Sequence, residues 1–342
     1  MIKLSIIIPF FNEERTIRQF CIKLSQSFKD INCEYIFVDD GSNDGSLEIL
    51  TNTTNKLLDK DQFKIIILDK NYGKAFAVKK GIEMVSGEYS LLIDSDLEYD
   101  PLDAYEIYQI AMNNDLIHII QGSRYLGAKV QARKHLFNDF AVRINTFLFN
   151  FLFNQSITDL HTGTKVIKSE LLKKLKLSFS RFGLEIDINS QIAKKNINIF
   201  EYGVSYIERS KSDGKKITII DGLFAYYYIF KARFIQNDIH TNLSVLYSFS
   251  FMTYAGTFFG LGTGKILITI LFAFSGLIIG LYRKLMPLSL IFLSIYIGSL
   301  FSKGNGRILP IVLFFLLALF VSKKISQKYE KKQKNYLLKF FL

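Results

Sequence analysis

Residues 34–40 read EYIFVDD, and residues 89–96 read YSLLIDSD. Each stretch is an apolar run of strand length that closes on two carboxylates. Ligands of open α/β sheets bind outside the carboxyl ends of the strands. The sequence therefore predicts a functional site where these two strands end, and its first candidate residues are Asp39, Asp40, Asp94 and Asp96.

The neighbouring segments alternate between strand and helix patterns. Further strands are predicted at residues 3–8, which Pro9 is expected to end, and at residues 63–69 and 116–121. Helices are predicted at residues 14–28, 46–58, 74–85, 102–112 and 136–154. Such alternation predicts an α/β fold with a mostly parallel, Rossmann-like sheet and helices on both faces.

The chain changes character after its first two thirds. It has 342 residues, of which 49% are hydrophobic, yet no Asp or Glu occurs between Leu243 and Ser322. We expect an N-terminal α/β domain (1–222), an interfacial juxtamembrane helix (223–242), about four transmembrane helices (243–322) and a basic cytoplasmic tail (323–342). Basic residues beside the apolar stretches favour an N-terminal domain on the cytoplasmic side of a membrane, with a cell inner membrane expected.

Two other classes of protein are disfavoured. The formal net charge of +12 is not accompanied by a nucleic-acid recognition motif, and lipid headgroups explain basic residues beside apolar spans better. Only two cysteines occur, Cys21 and Cys33, which is too few for a disulfide framework.

Asp94-Ser95-Asp96 has the spacing of a metal-binding pair. Two carboxylates after an apolar strand can hold Mg²⁺ or Mn²⁺ beside a diphosphate, where the ion acts as a Lewis acid. An isolated Asp-x-Asp is more often a solvated turn, and Asp39-Asp40-Gly41-Ser42 is also compatible with a turn that caps a helix. The second acidic strand end, together with the nearby Glu98, strengthens the metal hypothesis.

Eight segments in order resemble family 2 glycosyltransferases of the dolichyl- or polyprenyl-phosphate sugar synthase type. They are SIIIPFFNEE (5–14), VDDGSNDGS (38–46), NYGKAFAVKKGI (71–82), LLIDSDLEYDP (91–101), QGSRY (121–125), TDLHTGTKVIK (158–168), FGLEIDI (182–188) and YIERSKSDGKKITIIDG (206–222). The resemblance implies a GT-A fold, a nucleotide-diphospho-sugar donor, inversion at the anomeric carbon and often a C-terminal membrane anchor.

The resemblance also implies roles for individual residues. Donor-binding positions are Pro9, Phe11, Glu13, Asp39, Asp40, Lys74 and Asp94. Metal positions are Asp94, Asp96 and Glu98, and catalytic positions are Asp96, Asp159 and Arg209. Acceptor and diphosphate positions are Arg124, Arg209, Lys215 and Lys216.

Three functional hypotheses remain open at this point. The first is transfer from a UDP- or GDP-sugar to a polyprenyl phosphate, an acceptor that is already an anion and needs no strong general base. The second is transfer to a hydroxyl of a glycolipid or cell-envelope glycan, which needs a base such as Asp159 or Glu185. The third is an inactive membrane scaffold. The expected partners are the nucleotide sugar, the lipid acceptor and the membrane, without nucleic acid, and self-association into a homo-oligomer is left open.

Overall fold

A computed structural model describes residues 2–127, 129–178, 183–209 and 219–235. Its strands are β1 (Leu4–Phe10), β2 (Cys33–Asp39), β3 (Phe63–Ile67), β4 (Tyr89–Leu92), β5 (Ile119–Ser123), β6 (Gln131–Ala132), β7 (Lys165–Lys168), β8 (Phe200–Gly203) and β9 (Tyr206–Ile207). Its helices are α1 (Ile17–Ser27), α2 (Ser46–Leu57), α3 (Lys74–Glu83), α4 (Pro101–Met112), α5 (Leu136–Phe153), α6 (Ser169–Lys173), α7 (Leu184–Lys194) and α8 (Ile219–Phe230). A π-helical turn over Lys231–Ile235 follows α8.

The main sheet has seven strands in the order β3-β2-β1-β4-β7-β5-β8. Strands β1 to β4 run parallel to one another, and β5 pairs with β8 in parallel. Only β7 is reversed, and it pairs antiparallel with both β4 and β5. The prediction of a mostly parallel sheet is therefore confirmed. A separate ladder joins β6 to β9.

Hydrophobic cores lie on both faces of the sheet. In β1, Ile6 and Ile8 pack into one core and Ile7 packs into the other, as the alternation of side chains along a strand requires. The first core contains apolar residues of α1 and α4, and the second contains residues of α3 and α7. Helices therefore cover both faces, as predicted.

The predicted end of the first strand is wrong, because β1 continues through Pro9 to Phe10. Proline lacks a backbone N–H and usually interrupts a central strand. Pairing of β1 with β4 ends at Ile7, so Pro9 lies beyond the last residue pair on that side. Pairing with β2 continues on the other side to Phe10. The sheet thus accommodates the proline where no neighbouring strand requires its N–H.

Three other predicted strands differ in their limits, and the one predicted over residues 63–69 ends at Ile67. The strand predicted over residues 89–96 ends at Leu92, so Asp94 and Asp96 lie in the loop that follows β4. The strand predicted over 116–121 is shifted to Ile119–Ser123.

Among the described residues, no helix combines the length and the apolar character needed to cross a membrane. The segment predicted to hold transmembrane helices (243–322) lies outside the described residues.

Candidate active site

Asp39 and Asp40 organise the loops after β2. Asp39 is the last residue of β2 and accepts a hydrogen bond from the backbone N–H of Ser42 at 2.9 Å. The carboxylate of Asp40 accepts hydrogen bonds from the backbone N–H groups of Tyr72 and Gly73, both at 2.8 Å. Burial raises the pKa of Asp40, and the neighbouring Asp39 adds to that rise. Asp40 thus fixes the turn that leads into α3.

Lys74, the first residue of α3, lies between two carboxylates. Its Nζ is 2.8 Å from Oδ1 of Asp94 and 2.9 Å from Oε1 of Glu185. Burial would lower the pKa of Lys74, but Asp94 and Glu185 outweigh it and the net pKa is raised. Glu185 is only 6% exposed, and its pKa is lowered because Lys74 outweighs the effect of burial. The three groups therefore form a charged cluster.

Arg209 connects two more carboxylates at the same edge of the sheet. Its Nη1 is 2.8 Å from Oε2 of Glu13, and its Nη2 is 3.2 Å from Oδ2 of Asp96. The backbone N–H of Arg209 also donates to Oε1 of Glu98 at 2.9 Å. Arg209, two residues after the end of β9, thereby contacts the loops after β1 and β4. These contacts bring together four of the residues that the resemblance implicates.

The surroundings of Asp96 concentrate negative charge. Burial raises the pKa of Asp96 to about 7, and the nearby Asp94 and Glu98 contribute to that rise. Both carboxylate oxygens of Glu98 have partners, since Oε2 accepts from the Tyr206 hydroxyl at 2.9 Å and Oε1 accepts from Arg209. Within the described ranges, no three His, Cys, Asp or Glu side chains converge as a ready-made metal cage.

Gly163 packs directly against the carboxylate of Asp94. A Cβ atom at position 163 would lie 2.2 Å from Oδ2 of Asp94, well inside van der Waals contact. Gly163, Asp94 and Lys74 line a small cavity together with Pro9 and Glu185. Gly163 was not predicted as a site residue. Its packing against Asp94 depends on the reversed strand β7, whose pairing with β4 was not predicted.

Arg124 and Asp159 form a two-pronged ion pair. The Arg124 Nε donates to Oδ2 of Asp159 at 2.7 Å, and its Nη2 donates to Oδ1 at 2.8 Å. Backbone N–H groups of Arg124 and His161 donate to the same carboxylate at 3.1 and 3.2 Å. Burial would raise the pKa of Asp159, but Arg124 outweighs it and the net pKa is lowered. Asp159 is thus an ionised and fully engaged carboxylate.

A polar network beneath this pair was missed by the sequence analysis. Lys165, in β7, is 1% exposed and donates to Oε1 of Gln121, which also accepts from Nδ2 of Asn189 at 3.1 Å. Gln121 Nε2 donates to the backbone carbonyl of Asp159 at 2.9 Å. Burial lowers the pKa of Lys165 to about 8. A lysine inside the apolar strand pattern KVIK was the available signal.

The remaining predicted site residues are less informative. Pro9 accepts a hydrogen bond from the Ser95 hydroxyl through its backbone carbonyl, at 3.4 Å. Phe11 directly follows β1 and is half-buried. Lys215 and Lys216 lie outside the described residues.

Comparison with known proteins identifies the family of the chain. The family described as "Glycosyl transferase family 2" matches residues 5–176. A dolichyl-phosphate beta-glucosyltransferase of Dictyostelium discoideum is 29% identical over 236 residues, which are 63% of this chain and 69% of that protein. An undecaprenyl-phosphate 4-deoxy-4-formamido-L-arabinose transferase of Yersinia pestis bv. Antiqua (strain Angola) is 32% identical over 126 residues, which are 36% of this chain and 38% of that protein.

Solved structures show the same fold. The glucosyl-3-phosphoglycerate synthase of Mycobacterium tuberculosis, in complex with Mn²⁺, uridine-diphosphate and phosphoglyceric acid, superposes with a TM-score of 0.53 at 16% sequence identity. The match covers 67% of this chain and 78% of that one. The described domain is therefore GT-A-like. The match to the family model over residues 5–176 covers just over half of the chain, and the eight motifs occur in order. The chain therefore belongs to glycosyl transferase family 2 and is a glycosyltransferase.

Proposed function

We propose that this enzyme transfers a sugar from a UDP- or GDP-sugar to a polyprenyl or dolichyl phosphate, with inversion at the anomeric carbon. The relatives from Dictyostelium discoideum and Yersinia pestis, whose names specify dolichyl phosphate and undecaprenyl phosphate, support this acceptor class. The alignment covers only 38% of the Yersinia protein. The ion-paired carboxylates of the site are therefore the stronger argument for a phosphate acceptor.

The state of the two candidate bases carries the proposal. A hydroxyl acceptor must lose a proton to a base, whereas a phosphate monoester is already an anion near neutral pH. Asp159 is bound on both oxygens by Arg124, and Glu185 is paired with Lys74. The pKa of each carboxyl is lowered, so each is a weak proton acceptor. This arrangement favours an acceptor that needs no general base.

The cations of the site suit two phosphorylated substrates. Lys74, Arg124 and Arg209 each bind a carboxylate at the edge where the parallel strands end. We infer that Lys74 and Arg209 contact the donor diphosphate and that Arg124 contacts the acceptor phosphate. Positive groups held in place in this way stabilise the charge that develops on the leaving diphosphate. Lys215 and Lys216 are assigned to the same role by resemblance alone.

The residues around Asp94 and Asp96 fit a divalent cation. Magnesium is usually bound by one or two carboxylates together with substrate phosphates and water, and does not require a cage made only of protein. Burial raises the pKa of Asp96, and the neighbouring carboxylates of Asp94 and Glu98 raise it further. Asp94 and Asp96 would hold Mg²⁺ or Mn²⁺, and Glu98, whose oxygens accept from Tyr206 and Arg209, would be the third ligand that the resemblance implies. When bound, such an ion neutralises charge on the departing diphosphate.

The donor nucleotide is assigned to the ends of β1 and β2. Pro9, Phe11 and Glu13 are proposed to border the base, and Asp39 and Asp40 to bind the base or ribose. Asp40 has a structural task as well, because it holds the Tyr72–Gly73 turn from which α3 and Lys74 begin. A change at Asp40 is therefore expected to displace Lys74.

Membrane attachment belongs to the same proposal. A polyprenyl phosphate resides in a bilayer, so we propose an integral membrane protein with its catalytic domain on the cytoplasmic side. The apolar composition of residues 243–322 and the basic residues around them support this topology.

An assay of membranes that contain the full chain tests the proposal. The reaction contains Mg²⁺ or Mn²⁺, a panel of labelled UDP- and GDP-sugars and a polyprenyl phosphate. The expected result is label in an organic-extractable lipid from one donor, with Asp96→Ala reducing the signal by about a hundredfold or more. Binding of UDP or GDP without transfer from any donor would contradict the lipid acceptor.

A further inference from the structure

Helix α5 carries apolar residues on two opposite faces. Phe149, Leu152 and Phe153 are buried against the protein. On the other side, Leu136, Phe140 and Phe147 are 78%, 60% and 71% exposed. Their spacings of four and seven residues align them along one stripe of the helix. Phe137, beside this stripe, is 81% exposed.

Basic residues accompany the exposed stripe. Arg143 lies between Phe140 and Phe147 in sequence, and its side chain is 57% exposed. Lys134 is also exposed, two residues before the helix begins. The acidic residue of the first turn, Asp139, is bound by the guanidinium groups of Arg133 and Arg143. Aromatic residues flanked by cations are typical of helices that lie in the interface of an anionic membrane.

The same helix is connected directly to the candidate active site. The guanidinium groups of Arg133 and Arg143 both contact the Tyr125 ring, at 4.2 and 4.5 Å from its centroid. Arg133 also donates to the backbone carbonyl of Arg124. Tyr125 and Arg133 thus connect helix α5, which carries the exposed stripe, to Arg124 of the Arg124–Asp159 pair.

We propose that the exposed stripe of α5, formed by Leu136, Phe137, Phe140 and Phe147, inserts into the headgroup region of an anionic bilayer. Arg143 and Lys134 then lie at the level of the lipid phosphates. The choice of a lipid over a protein partner rests on the proposed function, because a lipid acceptor must reach Arg124 from a membrane. Docking through α5 presents that arginine at the surface where the acceptor phosphate emerges.

Depth-dependent quenching tests this docking on the full chain. The chain carries Phe147→Cys with an environment-sensitive fluorophore and is reconstituted into anionic vesicles that contain nitroxide-labelled lipids. Leu116→Cys is the matched control, since Leu116 is 79% exposed and lies before β5 at the opposite end of the strands. Cys21 and Cys33 are buried, and the unsubstituted chain gives the background labelling.

The expected result is strong quenching at position 147 and little at position 116. Equal quenching at the two positions, or no quenching at 147, overturns the proposal. The absence of quenching at position 147 would mean that protein covers the stripe, either from this chain or from a second copy.

Activity provides a second, independent readout. Phe147→Glu is expected to lower transfer to a long-chain acceptor in anionic vesicles by about tenfold, because it replaces an aromatic side chain inserted into the bilayer by a charged one. In detergent, the transfer by Phe147→Glu to a short-chain acceptor is expected to stay within about twofold of that by the unsubstituted chain. Leu116→Glu is expected to change transfer by less than about twofold in either assay. An equal loss with both acceptors overturns the docking role. If the parent chain transfers to neither acceptor, the proposed function fails while the quenching result still decides the docking.

Discussion

The guanidinium of Arg124 and the carboxylate of Asp159 meet through two nearly equal hydrogen bonds, of 2.7 and 2.8 Å. Asp159 is fully buried, and two backbone N–H groups complete its hydrogen bonding. Such a carboxylate is well suited to orienting an arginine and poorly suited to accepting a proton. The pair therefore supports the proposed phosphate acceptor over a hydroxyl acceptor.

The pH profile of the reaction is expected to follow the acceptor and not Asp159. Because the pKa of Asp159 is lowered, its carboxyl is ionised throughout the range from about pH 6 to 9. A phosphate monoester loses its second proton near pH 6. At saturating Mg²⁺, which would keep Asp96 ionised as a ligand, we therefore expect kcat/KM to be level above about pH 7 and to fall below about pH 6. Asp159→Asn should lower the whole profile without changing its shape. An acidic limb that disappears in Asp159→Asn would identify Asp159 as a base.

Lys74 is expected to compete with the metal for Asp94. Removing its charge in Lys74→Gln leaves Asp94 and Glu185 without their common cation. Mn²⁺ alone should then bind about tenfold more tightly, whereas UDP or GDP should bind more weakly. Electron paramagnetic resonance of free Mn²⁺ and calorimetry of nucleotide binding measure the two effects. Lys80→Gln is the matched control on the same helix, because Lys80 pairs only with the exposed Glu83 among the described residues. Unchanged Mn²⁺ affinity in Lys74→Gln would argue against Asp94 as a ligand.

A methyl group at position 163 is expected to displace Asp94. In Gly163→Ala the new Cβ would lie 2.2 Å from Oδ2 of Asp94, so the carboxylate must move. We expect transfer to fall by about tenfold or more, since misplacing a group in an active site by about 1 Å is costly. Gly127→Ala is the control, because a Cβ there meets no atom within 4 Å. Full activity of Gly163→Ala would show that the position of Asp94 does not matter.

Glu34 is expected to stabilise the catalytic domain in a pH-dependent way. Burial opposes its ionisation, but hydrogen bonds from Lys64, Ser5 and Ser86 lower the pKa of Glu34 from 4.5 to about 2. An acid with a lowered pKa stabilises the folded state above its unfolded pKa, and that contribution is lost as the pH falls towards 2. Glu34→Gln should therefore lower the free energy of unfolding at pH 7 by about 2–3 kcal/mol.

This stability difference should shrink below about pH 4.5. Urea titrations followed by circular dichroism, in detergent, provide the measurement. Glu83→Gln, which removes an exposed partner of Lys80, should cost less than about 1 kcal/mol. A pH-independent effect of Glu34→Gln would contradict the ionised state of Glu34.

Local patterns were sufficient to predict the first half of the fold. The strands that become β1 to β4 and the helix α1 follow from apolar periodicity alone, and carboxylates stand at the ends of β2 and β4 as predicted. The prediction that Pro9 ends the first strand was wrong, because the effect of a proline depends on which neighbouring strand pairs with β1 beyond Ile7.

The candidate site could be predicted only in part, because its contacts join distant segments. Arg209 and Glu13 are 196 positions apart, and Lys74 and Glu185 are 111 apart. No periodicity within a segment specifies such pairs. The reversed strand β7, which brings Gly163 and Lys165 to the site, also depends on a long-range pairing. Residue types and the resemblance to a family identified the participants, whereas their pairing required the tertiary structure.

The most direct test of the central claim compares two acceptors that differ in a single group. Membranes that contain the full chain receive one labelled nucleotide sugar, a divalent metal and either a polyprenyl monophosphate or the polyprenol of the same length. We predict label in the lipid fraction with the monophosphate and none with the polyprenol. Transfer to the hydroxyl of the polyprenol, without transfer to the monophosphate, would contradict the account and return Asp159 to the role of a base.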